Sequence, residues 1–350
     1  MLHLLDIPHD QLTAWLKAHG QPAYRAGQIR KWVFQSRAAS FDDMSDLPKQ
    51  LRADLAAEFT LWTTRIALHS TAGDGTEKLL LQLADGGRIE CVLLRDGERR
   101  SICISSQVGC AMGCVFCASG LDGVQRDLTT GEMLEQMLRL QRLLPAEERL
   151  SHIVVMGMGE PLANLDRLLP ALDAATREDG LGISHRRITI STVGLPPAIE
   201  KLIERDTRFH LAVSLHAPSD ELRNQLVPVN KNIGIAPILA AADRYFTQSG
   251  RRLTFEYVLL GGVNDARQHA EQLAALLRGR TALLNVIPYN VVAGLPYRTP
   301  SAASIRQFRE ILERAGINVQ FRERKGDEIN AACGQLRRLA PANLVALDVE

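Results

Sequence analysis

Five of the six cysteines crowd into residues 91–117, and the sixth, Cys333, stands near the far end of the chain. Three of the five make up Cys110-Ala-Met-Gly-Cys114-Val-Phe-Cys117, a C-x3-C-x2-C spacing. Three thiolates on one short loop can each ligate a different iron of a 4Fe–4S cube, which leaves the fourth iron open to a small chelating molecule. Structural zinc is the alternative, but tetrahedral zinc wants four ligands, usually as two spaced pairs, and no second pair is present. A secreted disulfide scaffold would be smaller, with its cysteines spread more evenly. Clustering of this kind points to metal or redox chemistry in a reducing compartment.

The apolar spacing supplies a scaffold for those thiolates. From residue 100 onward, strand cores recur at Ile153–Met156, Ile188–Ser191, Leu211–Leu215, Phe255–Leu260, Leu283–Ile287 and, more weakly, Asn318–Arg322. Amphipathic helical stretches such as Gly131–Leu144, Pro237–Thr247, Ala266–Leu277 and Ala303–Ala315 lie between them. Such alternation implies a parallel sheet with right-handed crossovers, as a doubly wound sheet or as a barrel. Polar residues favour the barrel: Glu160, Ser191, Ser214 with His216, and Asn290 fall at or just after four strand ends, where a βα barrel gathers its site. About six such units give a partial (β/α)6 barrel, open on one side for a large substrate.

Ahead of the barrel the pattern changes. Asp74-Gly75, Asp85-Gly86 and Asp96-Gly97 separate the strand-like runs Arg65–His69, Lys78–Leu83, Arg88–Leu94 and Ser101–Ser105, which predicts an antiparallel meander leading into the cysteine loop. In its third run, alternation puts Glu90 on the opposite face from Ile89 and Cys91. Cys91 then reads as a packing residue. Residues 1–58 show helical spacing at Leu12, Trp15 and Leu16, at Ile29, Trp32 and Val33, and after Pro48 at Leu51, Leu55 and Phe59. The expected organisation is therefore α/β: a helical module over 1–58, a β-meander extension over 59–99, and a partial barrel over 100–350 ending in a loop that bears Cys333.

The bulk numbers set the class. Among 350 residues, 46% are apolar and 23% charged, the balance of an ordinary soluble globular protein. No apolar run approaches a membrane span, and the N-terminus lacks a basic region followed by a long apolar stretch, so a cytoplasmic protein without membrane contact is expected. A net charge of +1 argues neither for nor against nucleic acid. Local basic patches at Arg95–Arg99–Arg100, His185–Arg186–Arg187 and Arg322–Arg324–Lys325 could each be a phosphate-binding surface or a solvated face.

Several separated stretches share one resemblance. They are Cys103-Ile-Ser-Ser-Gln-Val-Gly-Cys110-Ala-Met-Gly-Cys114-Val-Phe-Cys117, Met156-Gly-Met-Gly159-Glu160-Pro, Ile190-Ser191-Thr-Val-Gly194, Ser214-Leu215-His216-Ala-Pro, Phe255-Glu-Tyr-Val-Leu-Leu-Gly-Gly-Val-Asn264, Ile287-Pro-Tyr-Asn290 and Ala331-Ala-Cys333-Gly-Gln-Leu. In this order, over residues 103–336, they resemble the RlmN/Cfr family of radical S-adenosylmethionine (SAM) RNA adenine methyltransferases, with the RlmN branch the nearer likeness.

The resemblance implies a chemistry. Carbon 2 of adenine is electron-poor and cannot displace a methyl group by polar attack, whereas a radical can add to it. Two SAM molecules would be used per turnover. One methylates Cys333; the other, chelated at the open iron of the cluster held by Cys110, Cys114 and Cys117, yields a 5′-deoxyadenosyl radical that takes a hydrogen from S-methyl-Cys333. The methylene radical adds to the base, Glu90 accepts the base proton, and Cys103 releases methylated RNA by forming a disulfide with Cys333. Gly159, Glu160, Ser191, Ser214, Leu215, His216 and Asn290 match the family's SAM contacts, with the turn at Gly159 and Glu160 facing the SAM amino group and Leu215 acting through its backbone. Adenosines in 23S rRNA, at the peptidyl-transferase centre, and in tRNA, beside the anticodon, are the implied substrates. A monomer fed by an external one-electron donor such as flavodoxin or ferredoxin is implied as well. Two alternatives stay open on the motifs: methylation of carbon 8 of the same rRNA base, and a non-catalytic, zinc-stabilised RNA-binding protein. On residue context alone, Cys333 in its polar, glycine-bounded stretch could equally be reactive or structural.

Overall fold

The computed structural model describes residues 1–322 and 325–336. Arg324, from the third basic patch, and the stretch 337–350 of the expected barrel domain lie outside the described residues. Three helices, α1 (His9–Ala18), α2 (Arg25–Phe34) and α3 (Lys49–Glu58), form the N-terminal module, as the periodicity predicts. Two short strands that the sequence pattern does not announce, β1 (Leu2–His3) and β2 (Phe59–Thr60), pair in parallel and bring the two ends of the module together.

The meander follows as β3 (Arg65–Thr71), β4 (Glu77–Gln82), β5 (Arg88–Asp96) and β6 (Arg99–Cys103), each antiparallel to the last. A hairpin of β7 (Gln107–Gly109) and β8 (Val124–Asp127) then carries the cysteine loop between its arms. The rest alternates: α4 (Thr130–Gln141), β9 (His152–Val155), α5 (Leu165–Thr176), β10 (Ile188–Thr192), α6 (Pro196–Glu204), β11 (His210–Ser214), α7 (Asp220–Leu226), α8 (Ile235–Ser249), β12 (Leu253–Leu259), α9 (Arg267–Leu277), β13 (Ala282–Pro288), α10 (Ala302–Arg314) and β14 (Val319–Phe321). Helices α5, α6 and α7 fill gaps for which the apolar spacing gave no explicit expectation.

One sheet runs through both parts in the order β14-β13-β12-β11-β10-β9-β6-β5-β4-β3. Strand β6 is its pivot, antiparallel to β5 and parallel to β9. The expected boundary between residues 99 and 100 therefore falls inside β6, and meander and barrel share a hydrogen-bonded sheet. Six βα units, starting at β6, make the partial barrel, and β14 lies at its open edge beside β13. The helical module packs on α4: Asp6 accepts from the Gly131 amide at 2.6 Å, and the fully buried Glu135 accepts from the amides and hydroxyls of Thr63 and Thr64 at 2.6–3.0 Å. Its Leu16, Met44, Leu51 and Leu55 belong to the same continuous apolar core as the barrel strands. Hydrogen bonds of this kind are what make a buried carboxylate tolerable.

Candidate active site

The cysteine loop sits above the C-terminal ends of the barrel strands. Phe116, between the second and third cysteines of the loop, packs with Val193, Ala217, Leu260 and Tyr289, each just beyond a different strand end. The Val115 amide donates to Leu226 O at 3.1 Å, and the Cys117 amide to Cys114 O at 3.1 Å. Burial holds the three thiols protonated at neutral pH: Cys110 is pushed up to about 12, and Cys114 and Cys117 also rise, Cys114 further disfavoured by the other two. A metal cation at the sulfur is what reverses that preference, since a coordinating thiol is deprotonated outright.

The donor set fits a 4Fe–4S cluster with one open iron. Among the described residues no three His, Cys, Asp or Glu side chains converge closely enough for a single metal ion. Three thiols on one short loop match the three-cysteine ligation that leaves one iron of a cube open. The turn after β9 borders the loop, with the Gly159 amide hydrogen-bonding to the Cys110 thiol. Gly159 has φ +106, and a Cβ there would meet Gln107 and Ser106 at 2.7 Å, so tight packing on the β6–β7 connection demands glycine.

The sequence-predicted SAM residues ring these strand ends. Glu160 is buried and accepts from the Leu162 amide at 3.0 Å and the Val193 amide at 2.8 Å; burial raises its pKa and those bonds oppose the rise. Ser191 donates to Glu256 at 3.0 Å. Ser214 also hydrogen-bonds to that carboxylate, and its carbonyl accepts from Arg223 at 2.9 Å. Both backbone groups of Leu215 are used internally, the amide on Glu256 O and the carbonyl on Arg223. His216 adopts φ +60, accepts from the Val258 amide on Nδ1 at 3.1 Å and meets Phe116 edge-on; burial, then Arg223, lowers its pKa to about 3 and keeps it neutral. Asn290 donates to Cys333 O at 3.2 Å, while its own Oδ1 is buried without a partner among the described residues. An orphaned acceptor of that kind suits a bound ammonium group.

Beside this ring lies a cavity of about 350 Å³ on the inner face of the sheet. Cys103, from β6, and Cys333, from the C-terminal loop, both line it, together with Asn290 and Glu256. Their proximity registers electrostatically: the Cys103 thiol is raised by burial and then by Cys333, and the Cys333 thiol is pushed up to about 11 by desolvation and then by Glu256. Val92 and Leu94 line the cavity from β5, so Glu90, on the same face of that strand, points to the same side. Glu90 itself stands just off the lining, buried, in an ion pair with Lys78 Nζ at 2.7 Å. Cys91 points the other way and is fully buried in the core, with its thiol raised well above the usual range by burial.

Of the three basic patches, two reach the cavity: Arg322 and Lys325 of the third and Arg99 of the first line it. Lys325 is held by Asp96 at 2.9 Å, and Arg95 and Arg100 are paired with Glu77 and Glu148. The exposed His185–Arg187 segment precedes β10 and lies at the opposite end of the strands. Two larger clefts, of about 430 and 510 Å³, also open at that end; His185 and Arg186 line the larger, and neither holds a candidate cluster, SAM or catalytic residue.

Three residues of this site escape motif reading. Glu256 is a charged residue between Phe255 and Tyr257 in an otherwise apolar strand, a signal that could have been used. Arg223, completely buried, ties the carbonyls of Leu215, Ser214 and Val193 together with Asn230, and nothing in its amphipathic surroundings marks it. Lys78 reads from sequence as an ordinary strand lysine.

Comparison with known proteins bears on this geometry. Residues 104–274 match the radical SAM superfamily, and residues 2–61 match the N-terminal domain of ribosomal RNA large subunit methyltransferases. A probable dual-specificity RNA methyltransferase RlmN of Rhodopirellula baltica is 69% identical over 336 residues, 96% of this chain and 91% of that protein. Its counterpart of the same description in Geobacillus kaustophilus is 44% identical over 94% of this chain and 90% of that one. The crystal structure of a radical SAM methyltransferase from Sphaerobacter thermophilus superposes with a TM-score of 0.93 at 43% identity, covering 97% of this chain and all of that one. With relatives so similar over nearly its full length, the chain belongs to the RlmN family of radical SAM RNA methyltransferases.

Proposed function

We propose that this enzyme methylates carbon 2 of an adenosine in 23S rRNA, at the peptidyl-transferase centre, and in tRNA, beside the anticodon, through a covalent protein–RNA intermediate on Cys333. One observation carries the reading: two cysteines at opposite ends of the barrel sequence face the same cavity, beside a mouth lined by arginines. Two thiols facing one cavity have a use in this reaction and none in plain SAM-dependent methyl transfer. Cys110, Cys114 and Cys117 would hold a 4Fe–4S cluster, with Gly159, Glu160, Ser191, Ser214, Leu215, His216 and Asn290 around SAM. When bound, cluster and SAM supply a hydrogen-abstracting radical by one-electron cleavage of the sulfonium, with the electron coming from an external donor such as flavodoxin or ferredoxin.

The chain's own residues do the rest. Cys333, as its thiolate, receives a methyl group from a first SAM and, once activated, links that carbon to the base. Glu90 takes the base proton, and the unpaired electron left on the adduct would pass back to the bound cluster, which leaves a closed-shell thioether between Cys333 and the base. The Cys103 thiolate then attacks the Cys333 sulfur: an S–S bond forms, the S–C bond breaks with its electron pair passing to the methylene carbon, and that carbon takes a proton to become the methyl group of the product. An external thiol reductant restores both cysteines. The test is methylation of rRNA and tRNA transcripts with labelled SAM, followed by nucleoside mass mapping. Label on 2-methyladenosine supports the proposal, and label on 8-methyladenosine would move the enzyme to the sister activity.

A further inference from the structure

Glu90 meets a second residue that the reaction described above does not use. Lys78 stands on β4 across the sheet from Val92, on the face that Glu90 shares, and is itself buried. Its ammonium lies 2.7 Å from Glu90 Oε1 and donates to Asn330 O at 3.2 Å, three residues before Cys333. A buried carboxylate is costly to keep charged unless a cation and hydrogen bonds accompany it. A carboxylate must be charged to accept a proton, and an adjacent ammonium favours that form. One side chain therefore touches both the candidate base and the loop that presents the methyl-carrying sulfur.

We propose that Lys78 is a positioning residue for the proton-transfer step: it keeps the Glu90 carboxylate ionised and fixes it relative to the Cys333 loop. The inference rests on the reading of Glu90 as proton acceptor. In the step, the proton on carbon 2 of the covalent adduct moves to Glu90, whose neutral acid then sits beside the Lys78 ammonium; the electron pair of the C–H bond restores the aromatic ring, and the one unpaired electron left by radical addition would return to the cluster that supplied it. Other contacts also hold the Cys333 loop against the meander, Gly326 N donating to Asp74 at 2.9 Å and Gly73 N to Glu328 at 3.1 Å. Loss of Lys78 should therefore leave the loop in place and damage the step through the carboxylate.

The test compares Lys78→Met, Lys78→Arg and Glu90→Gln as cluster-loaded enzymes acting on RNA with hydrogen or deuterium at carbon 2 of the target adenosine. Lys78→Met is expected to slow product release tenfold or more, accumulate covalent protein–RNA adduct and enlarge the deuterium isotope effect, with S-methyl-Cys333 still formed at the parental level by peptide mass spectrometry. Lys78→Arg should restore most of the rate. If Lys78→Met fails to fold or to hold its cluster, Lys78→Gln, neutral but still a donor, takes its place. Loss of S-methyl-Cys333 with an unchanged isotope effect would reduce Lys78 to a loop anchor and overturn the proposal, as would parental turnover without adduct. Normal turnover by Glu90→Gln would instead sink the reading of Glu90. Adduct in Glu90→Gln but not in the Lys78 variants would sink the Lys78 inference alone.

Discussion

The two cysteine sites of this enzyme are built in opposite ways. The cluster loop carries all its thiols within residues 110–117, and the fold's task is only to seat that loop, through Phe116, on the apolar cap formed by Val193, Ala217 and Leu260. The thiol pair of the cavity has no local identity. Cys103 comes from the pivot strand β6 and Cys333 from the chain beyond β14, and the turns of the whole barrel are needed before they share a surface. A locally encoded site survives as a motif wherever the loop goes, whereas a globally encoded one exists only when the sheet closes far enough to bring its edges together.

That contrast can be broken most sharply at its strongest point. Replacement of Cys110, Cys114 or Cys117 by alanine should abolish cluster binding and all SAM cleavage, read as iron content and 5′-deoxyadenosine formed, because no spare thiol stands on the loop. A triple alanine variant that kept its iron and still cleaved SAM would undo the assignment. The cavity pair should fail differently. Cys333→Ala should give neither product nor adduct, whereas Cys103→Ala should stall with RNA attached to Cys333 through denaturing purification. Free methylated RNA at a normal rate from Cys103→Ala would remove the resolving role.

The same contrast explains what was legible in the sequence. The C-x3-C-x2-C loop, the meander marked by its Asp-Gly turns and the barrel strands could be read directly, since spacing and alternation are local properties. The side-chain direction of Glu90 against Ile89 and Cys91 was legible for the same reason. The Lys78–Glu90 pair, the Arg223 hub and the place of Glu256 beneath Ser191 were not: the first depends on the exact register of the β4–β5 hairpin, the second on a helix side chain reaching back to strand-end carbonyls, and the third on two strands distant in sequence. The short β1–β2 pairing escaped because two-residue strands carry no periodicity. Motif resemblance reached Cys333, and its meeting with Cys103 required the fold.

A pH series sharpens the difference quantitatively. Cys333 is exposed as a residue, but the groups crowded round its sulfur, with Glu256 beside them, push the thiol up to about 11, so at neutral pH it holds far less thiolate than a free cysteine, whose pKa is about 8.5. A raised thiol pKa means that reactivity is lost on the neutral side and recovered as pH rises. Alkylation of Cys333 by iodoacetamide, followed by peptide mass spectrometry on the cluster-loaded enzyme, should run on the order of a hundredfold slower at pH 8 than that of a free thiol and climb about tenfold per pH unit through pH 10. A plateau near pH 8 to 9 would show that the cavity does not suppress the thiolate.

The cavity mouth should yield a smaller, salt-dependent effect. Arg99 and Arg322 lie close enough that burial and then Arg322 lower the Arg99 pKa, a like-charge approach that a phosphate would relieve. Reversal of both to glutamate should weaken RNA binding roughly tenfold or more and flatten its salt dependence by about one unit of slope per lost phosphate contact, with SAM binding much less affected. An unchanged salt slope would take the mouth out of the RNA surface.

The smallest effect is expected one residue from one of the largest. Cys91 adjoins Glu90 on β5 and pairs across the sheet with Leu79, but pleating turns its side chain into the core, where it is fully buried. Cys91→Ala removes one sulfur from a close-packed apolar site, a loss comparable to a buried methyl group and worth about 1 kcal/mol. Cluster content, SAM cleavage, S-methyl-Cys333 and RNA turnover should all stay at parental levels, while the thermal midpoint falls by about a few degrees at most. Glu90→Gln, on the other face of the same strand, should trap adduct, and because it leaves the buried Lys78 ammonium without its carboxylate its midpoint should fall further than that of Cys91→Ala. If Cys91→Ala instead lost turnover at an unchanged midpoint, the two faces of β5 would not divide packing from chemistry, and Cys91 would have to be counted with Cys103 and Cys333 as a working thiol.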